Sequence, residues 1–591
     1  MNVMLFLVIS LIVHSIPLPF NPHMFQPRRL LRWLPFRLVW GTVTWVFICL
    51  IMGMTLPWAY LTLATSFGLV LILSGVGLQT MGFHRIRPTQ EASMGLICIG
   101  VIVLITMPVY SGVVAWTSDV ANAQLFDEMI VETDQPLFNS TIPDNQVRLV
   151  TQEYALYVAQ QHIAPLGSEW VTAAAHITTR NGRLVWVVVI VSTNTLAANY
   201  IKALVVVDAN DPQGIEPEII EDINLPLGEG LFWDRNIQFS NYLNDMTSAF
   251  QYAYPTWDPL GVLAYVQTRT PIDFGFVERA SGPIVYFENG TTIAYATIEE
   301  TPDWITQAYS EEWLERQVSR WGGYRREDGF DLFAGGFLWS IPPSSDRLEI
   351  TEDTRYIINP DTNRVEALVA VHPVTSSRTL AGIFRATRTT VYYHDLSSYA
   401  YVSGDAAAEN VVGQLTPPAS GFYFASMPLL YPVEITPSQT AWTWYAPIFW
   451  VKGYYDDSDY YVFTDMNLHA LALVDASNIN RYYIQETGGA IWGEDLVRAT
   501  REAFVALFGA TLSDVFELTA NVTSMTAFVD NGDTHILLGT DNSSYLFIEG
   551  ARMWMNHTDW YALLTIELGE SFTATIQIVG EQHRIVAFVK N

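Results

Sequence analysis

The sequence predicts a membrane-anchored α+β protein. An N-terminal bundle of about four transmembrane helices precedes a β-rich ectodomain of repeated helix-plus-antiparallel-sheet modules, and a small β-barrel closes the chain. Three observations predict this. Long apolar runs alternate with Arg-bearing loops up to Trp116 and do not recur afterwards. Helix-period and strand-period segments then follow one another in the same order more than once, and the final stretch is a run of short strands separated by turn residues. On these grounds residues 1–117 form the transmembrane helices and 118–146 a tether. A first α+β region covers 147–340, a second covers 341–510, and the barrel covers 511–591.

Leu38 to Phe83 is 46 residues without one Asp, Glu, Lys or Arg. A span needs about 20 residues, so this run holds two, with the break at Leu56-Pro57-Trp58, where proline disfavours helix in the residue before it. Met94 to Trp116 makes another span, with Pro108 inside it. Asn2 to Phe20 is shorter and carries Pro17 and Pro19. Its start lacks the basic residues of a signal peptide, so it reads as a short first span. Arg28, Arg29, Arg32 and Arg37 lie between spans one and two, and Arg85 and Arg87 between spans three and four. Basic loops favour the cytoplasmic side, which places the N-terminus and the large C-terminal domain outside. Within the spans only His14, Cys49 and Cys98 are titratable candidates. Ser74, Gly75 and Gly77 are small enough for close helix packing.

The chain has 60 acids, 30 bases and a formal charge of −30. Glu91 is the only acid before Trp116 and six arginines are the only bases there, so the remainder is net −35. That charge argues against nucleic acid and against docking on anionic lipid heads. Both cysteines fall in expected spans, so the ectodomain is held by its core and not by disulfides. Five Asn-X-Ser/Thr sequons, at Asn139, Asn289, Asn521, Asn542 and Asn556, lie in the expected outside domain and permit glycosylation in a host that performs it.

In the ectodomain a helix is expected over Thr151 to Ile163, with Tyr154, Ala155, Val158 and Ala159 on one face. Strands follow over Trp170 to Thr178 and Leu184 to Val191, joined by Asn181-Gly182, a hairpin signal. Ala203 to Asp211 then gives an apolar run closed by Asp208. Tyr356 to Ile358, the turn Pro360 to Asn363 and Val365 to His372 form a second hairpin, followed by Thr389 to Asp395. A helix begins near Asp405, which is placed to cap it. Phe422 to Ile435, Trp442 to Val451 and Leu468 to Asn478 read as strands, and Glu494 to Phe508 as a helix. Pro302 to Arg320 also reads as a helix, with Thr301 as cap. Trp321 to Trp339 with Pro342-Pro343 looks like a junction. Glu517 to Asn591, with about six strands, suggests the barrel. Its few bases exclude oligonucleotide binding.

Helix, hairpin and a strand ending in Val207-Asp208-Ala209, echoed by Val474-Asp475-Ala476, resemble the PepSY module of extracytoplasmic bacterial proteins, in three copies. The second copy departs from the pattern, with Tyr392-Tyr393-His394-Asp395 in place of Val-Asp-Ala. The resemblance implies roles in regulating extracytoplasmic enzymes, in signalling or in assembly, and supplies no catalytic residues.

The chain has no His-Glu-X-X-His, no Gly-X-Ser-X-Gly, no Walker motif and no dinucleotide-binding glycine pattern, so no cofactor is expected. Asp456, Asp457 and Asp459 stand between two aromatic strands. Aspartates suit a solvated hairpin turn, which is the favoured reading. Clustered oxygen ligands also suit calcium, and Asp457-X-Asp459 has the form of the metal-binding motif of many glycosyltransferases. Asp530 with Asp533, and Asp208 with Asp211, are weighed the same way. The leading expectation is a non-enzymatic scaffold or interaction protein. Its partners would be the lipid bilayer and other envelope or membrane proteins, with oligomerisation open. An accessory or regulatory subunit of a transporter or extracytoplasmic enzyme is the alternative. A membrane-bound hydrolase or glycosyltransferase with an acidic site is the third.

Overall fold

The computed structural model describes the chain except residues 16–26, 81–86, 134, 212, 306, 327–328, 331–346, 352–353, 437–438, 456–460, 514, 531–532, 544, 553–554, 556 and 580–581. The architecture is α+β. Apolar helices come first, and a β-rich region containing a closed five-stranded barrel comes last.

Among the described residues three helices are long and apolar enough to cross a membrane, fewer than the four or so expected. The first helix, α1 (Val3–Ser15), has 13 residues. That is about 20 Å of helix, short of the roughly 30 Å hydrocarbon core. Then come α2 (Pro27–Trp45), continued by a π-helical segment Val46–Ile51, α3 (Leu56–Thr80) and α4 (Arg87–Met129). The break before Pro57 falls where expected. Helices α3 and α4 approach closely. A Cβ on Gly75 would lie 2.8 Å from the Ser93 carbonyl oxygen, and one on Gly100 would lie 2.6 Å from the Gly68 carbonyl oxygen. Ser93 Oγ donates to the Gly75 carbonyl (2.7 Å). Of the expected small residues, Gly75 serves this contact, whereas nothing lies within 4 Å of where a Gly77 Cβ would be.

Helix α4 is longer than a single span requires. It runs 43 residues, and strand Ile130–Thr133 follows directly and pairs in parallel with Val391–Asp395. The expected tether therefore begins as helix and strand, and Leu137, Phe138 and Ile142 beyond it are buried. Apolar residues at that spacing have a core to enter, which a charge-based reading of the segment overlooks.

The helices of the β-rich region that follows are α5 (Gln152–His162), α6 (Ile237–Asn244), α7 (Glu311–Tyr324), α8 (Gly404–Gln414) and α9 (Gly493–Ser513), with α10 (His557–Leu564) beside the barrel. Helix α5 is capped by Thr151 and buries its expected face. The Asn181-Gly182 turn takes positive φ at both residues, 52° and 76°, as a two-residue hairpin requires. Two helix starts differ from expectation. Ser310, not Thr301, caps α7, its side chain accepting from the Trp313 N–H, and Ser403, not Asp405, caps α8. Thr301-Pro302 instead closes a turn in which the Ile305 N–H donates to the Pro302 carbonyl.

One antiparallel sheet orders Trp170–Arg180, Arg183–Ser192, Ala203–Asp208 and Glu218–Glu221. A second is built on Leu263–Pro271 and Ser281–Phe287. The third centres on Arg364–Pro373, and its edge is the strand following α4. The fourth centres on the long pair Gln439–Tyr455 and Tyr461–Asp475. One hydrophobic core runs continuously from Phe126 of α4 through α5, the first sheet, α7, and the third and fourth sheets to Phe504 of α9. The barrel has its own core, around Ile536, Phe572 and Phe588. Much of the expected junction, Trp321 to Trp339 with Pro342-Pro343, lies outside the described residues.

Candidate functional site

A helix that leaves a bilayer exposes its side chains to water unless something packs on it. The last turns of α4 are packed. Asn122 is 1% exposed. Its Nδ2 donates to the Phe276 carbonyl (3.1 Å) and its Oδ1 accepts from the Glu278 N–H (2.8 Å). Arg320 of α7 donates through Nε to Asp119 (2.9 Å) and through both terminal nitrogens to Glu278 (3.1 Å). Arg316 donates to the other Glu278 oxygen (2.8 Å). Trp321 Nε1 donates to Asp127 (2.7 Å), and Phe126 meets Trp313 edge-on at 5.9 Å. Glu278 is buried, and Arg320 reaches one of its oxygens while Arg316 reaches the other. Two arginines satisfy both, the condition under which a buried carboxylate is tolerated.

The other end of the bundle contact is equally specific. The Met1 ammonium pairs with Asp245 (3.2 Å). The Met246 N–H donates to the Met1 carbonyl, and the Leu56 N–H to the Met246 carbonyl. Tyr242 of α6 donates to the Met54 carbonyl (2.9 Å). Met1, the turn before α3 and the exit of α4 thus all meet the ectodomain. Trp58 meets Phe276 edge-on at 4.5 Å and Tyr60 lies tilted to Phe274 at 5.7 Å, an aromatic cluster of the kind that suits a membrane interface.

Inside the bundle the expected inert interior is partly polar. Arg37 is not a loop residue. It lies in α2, 4% exposed, and donates to the His14 carbonyl (3.4 Å) and Ser74 Oγ (3.2 Å). Ser66 Oγ gathers Trp40 Nε1 (2.9 Å), Thr44 Oγ1 (2.7 Å) and His14 Nε2 (3.3 Å). The His14 carbonyl, near the last described residues of α1, lies within the bundle and receives one of the Arg37 hydrogen bonds. A count of charges along the chain cannot separate such an arginine from one that marks the cytoplasmic face.

A cavity of about 290 Å³ opens where the first sheet, α7 and strand Arg355–Asn359 meet. On one wall His176 Nε2 contacts Glu229, which also accepts from Tyr265 Oη and Gln238 Nε2, both at 2.8 Å. Burial by itself pushes the Glu229 carboxyl up, but the facing His176 and these hydrogen bonds together hold it below its ordinary value. Arg148, which also lines the cavity, is 4% exposed and its Nη2 has no hydrogen-bond partner. Burial pushes this guanidinium down to about 10, and the nearby Tyr431, Glu153 and Glu311 offset only part of that. Glu311, Glu312 and Glu315, from the first turns of α7, also line the space. Glu315 accepts from the Thr354 N–H and Oγ1, both at 2.8 Å.

Asp456, Asp457 and Asp459 lie outside the described residues, and among the described residues no group of three or more acids, histidines or cysteines could hold a metal ion. Asp208, Asp395 and Asp475, which end strands in the three expected repeats, each accept from the backbone N–H two residues on, at 2.8–2.9 Å. That is a turn-forming role. Asp211 accepts from the Gly214 N–H (2.7 Å), and Asp530 sits opposite Asp533 across a strand pair. Asn139, Asn289 and Asn521 are exposed and Asn542 is half-buried, whereas Asn556 lies outside the described residues. Sequence reasoning missed Arg148, His176 and Glu229, which are far apart in the chain. The one local signal was the acidic start of α7, and acids there are ordinary helix-dipole partners. No known protein family and no curated protein matches this chain.

Proposed function

We propose that this chain is a non-enzymatic, membrane-anchored extracytoplasmic scaffold, a subunit of a larger envelope or membrane assembly. The observation that carries the reading is the fusion of α4 to the ectodomain core. The helix that leaves the bundle is clamped by Arg320, Glu278 and Asn122 and then donates an edge strand to a sheet. A flexible anchor needs none of this, whereas a platform that presents partners at a fixed height and angle does. Arg28, Arg29 and Arg32 begin α2 and Arg87 begins α4, at the ends of these helices away from the Met54 and Asn122 contacts. The positive-inside rule then puts the ectodomain outside the cytoplasm. The repeated helix-and-sheet units, PepSY-like in sequence, suit recognition more than chemistry.

An accessory or regulatory subunit is the second reading, favoured by the polar cluster around Arg37 and Ser66, since buried intramembrane charge is costly and tends to be functional. The acidic-site enzyme rests on Asp456, Asp457 and Asp459 and is not carried further. Extraction into native lipid particles, followed by mass measurement of the intact complex, tests the scaffold. Stoichiometric partner proteins or further copies are expected. A chain released alone, as a monomer with lipid only, overturns it.

A further inference from the structure

We propose that the cavity between the first sheet and α7 binds a small zwitterion of the amino-acid or short-peptide class, its carboxylate on Arg148 and its ammonium against Glu311 and Glu312. This goes beyond the scaffold reading and does not depend on it.

Arg148 carries the argument. A buried guanidinium without hydrogen bonds is costly, because desolvation is not repaid. Its planar fork matches a carboxylate in two parallel hydrogen bonds. Glu153 and Glu311 attract Arg148 without hydrogen-bonding to its Nη2, and the other carboxylates near the cavity are engaged elsewhere. Glu229 is taken by His176, Tyr265 and Gln238, and Glu315 by Thr354. None of these four carboxylates hydrogen-bonds to Arg148 Nη2, so a further acceptor for it belongs to whatever enters the cavity.

The acids that line the same space select a cation. Glu311 and Glu312 lie on its rim at the start of α7, and the basic residues of α7, Arg316 and Arg320, point their charges at Glu278 instead. A simple anion would meet repulsion from these acids, and a simple cation would leave Arg148 as it is. A metal ion is disfavoured for the same reason. One molecule with both charges satisfies Arg148 and these acids alike, and about 290 Å³ accommodates an amino acid or dipeptide. Tyr252 and Tyr356, both buried, supply apolar surface for its carbon atoms.

The test is calorimetric titration of the full chain in lipid nanodiscs with L-lysine, L-glutamine and diglycine, beside acetate and n-butylamine as single-charge controls. At least one zwitterion should bind saturably and about tenfold or more tighter than either control. Arg148→Met should weaken it by a similar factor, and Glu312→Gln several-fold. Without ligand, Arg148→Met should unfold no more easily than the native chain, because the variant removes an unsatisfied charge. Should that variant fail to fold, the exposed Glu312→Gln still reads the cationic end. No zwitterion preference, or equal binding by Arg148→Met or Glu312→Gln, would overturn the assignment.

Discussion

His394 shows how a single side chain can report on the joint between membrane and ectodomain. It lies opposite Thr133 where the strand following α4 pairs with the third sheet, and its Nδ1 contacts the Gln135 carbonyl (3.0 Å). Burial pushes its imidazole down to about 4, the Arg385 guanidinium adds to this, and the Gln135 contact opposes it. The unfolded chain takes up this proton near pH 6.5 and the folded chain resists it until about 4. The group therefore supports the fold above 6.5, and its contribution is lost as the pH falls through that window. The loss is at most on the order of 3 kcal/mol. His394→Asn should flatten the pH dependence of unfolding between pH 6.5 and 4, and an unchanged slope would refute this role. The Tyr392-Tyr393-His394-Asp395 departure from the repeat was visible in the sequence. Its meaning was not, because the partner strand comes from 260 residues earlier. Arg37 was misjudged for a related reason: only the third dimension shows that His14 lies beside it.

Among the elements, hairpins and helices with strong local signals were legible. Thr151 as cap, Asn181-Gly182 as turn and Pro57 as break each owe their position to backbone constraints that need no tertiary partner. Helix α7 was placed one segment too early because Thr301-Pro302 and Ser310-Glu311 are both sound helix starts, and packing of Trp313 and Trp321 into the core selects the second. The barrel was legible as a barrel, though it has five strands and gains α10. The second sheet was not read at all, since its short strands carry few alternating runs. The close approach of α3 and α4 gives a prediction whose sign depends on position. Glycine-to-alanine ordinarily stabilises a helix by about 0.5–1 kcal/mol. Gly95→Ala, with nothing within 4 Å of the new methyl, should follow that rule. Gly100→Ala places a methyl 2.6 Å from the Gly68 carbonyl oxygen and should destabilise by about 1–3 kcal/mol. Thermal unfolding in detergent reads both, and two shifts of the same sign would contradict the packing.

At the scale of the whole molecule, the two α+β regions expected from the sequence share one hydrophobic core that begins on α4 itself. The sequence announces the modules but not their fusion, because each module satisfies its own periodicity while the faces that join them are scattered over nearly 400 residues. From that fusion comes the central claim, that membrane helices and ectodomain move as one body. Spin labels test it most directly. Cys98 is exposed on α4 and Leu260 sits at an exposed hairpin tip of the second sheet. With Cys49→Ala and Leu260→Cys in the full chain, labels at positions 98 and 260 in nanodiscs should give one narrow distance distribution by pulsed electron spin resonance. A broad or multiple distribution would mean that the ectodomain swings on a tether, and the rigid platform would have to be abandoned.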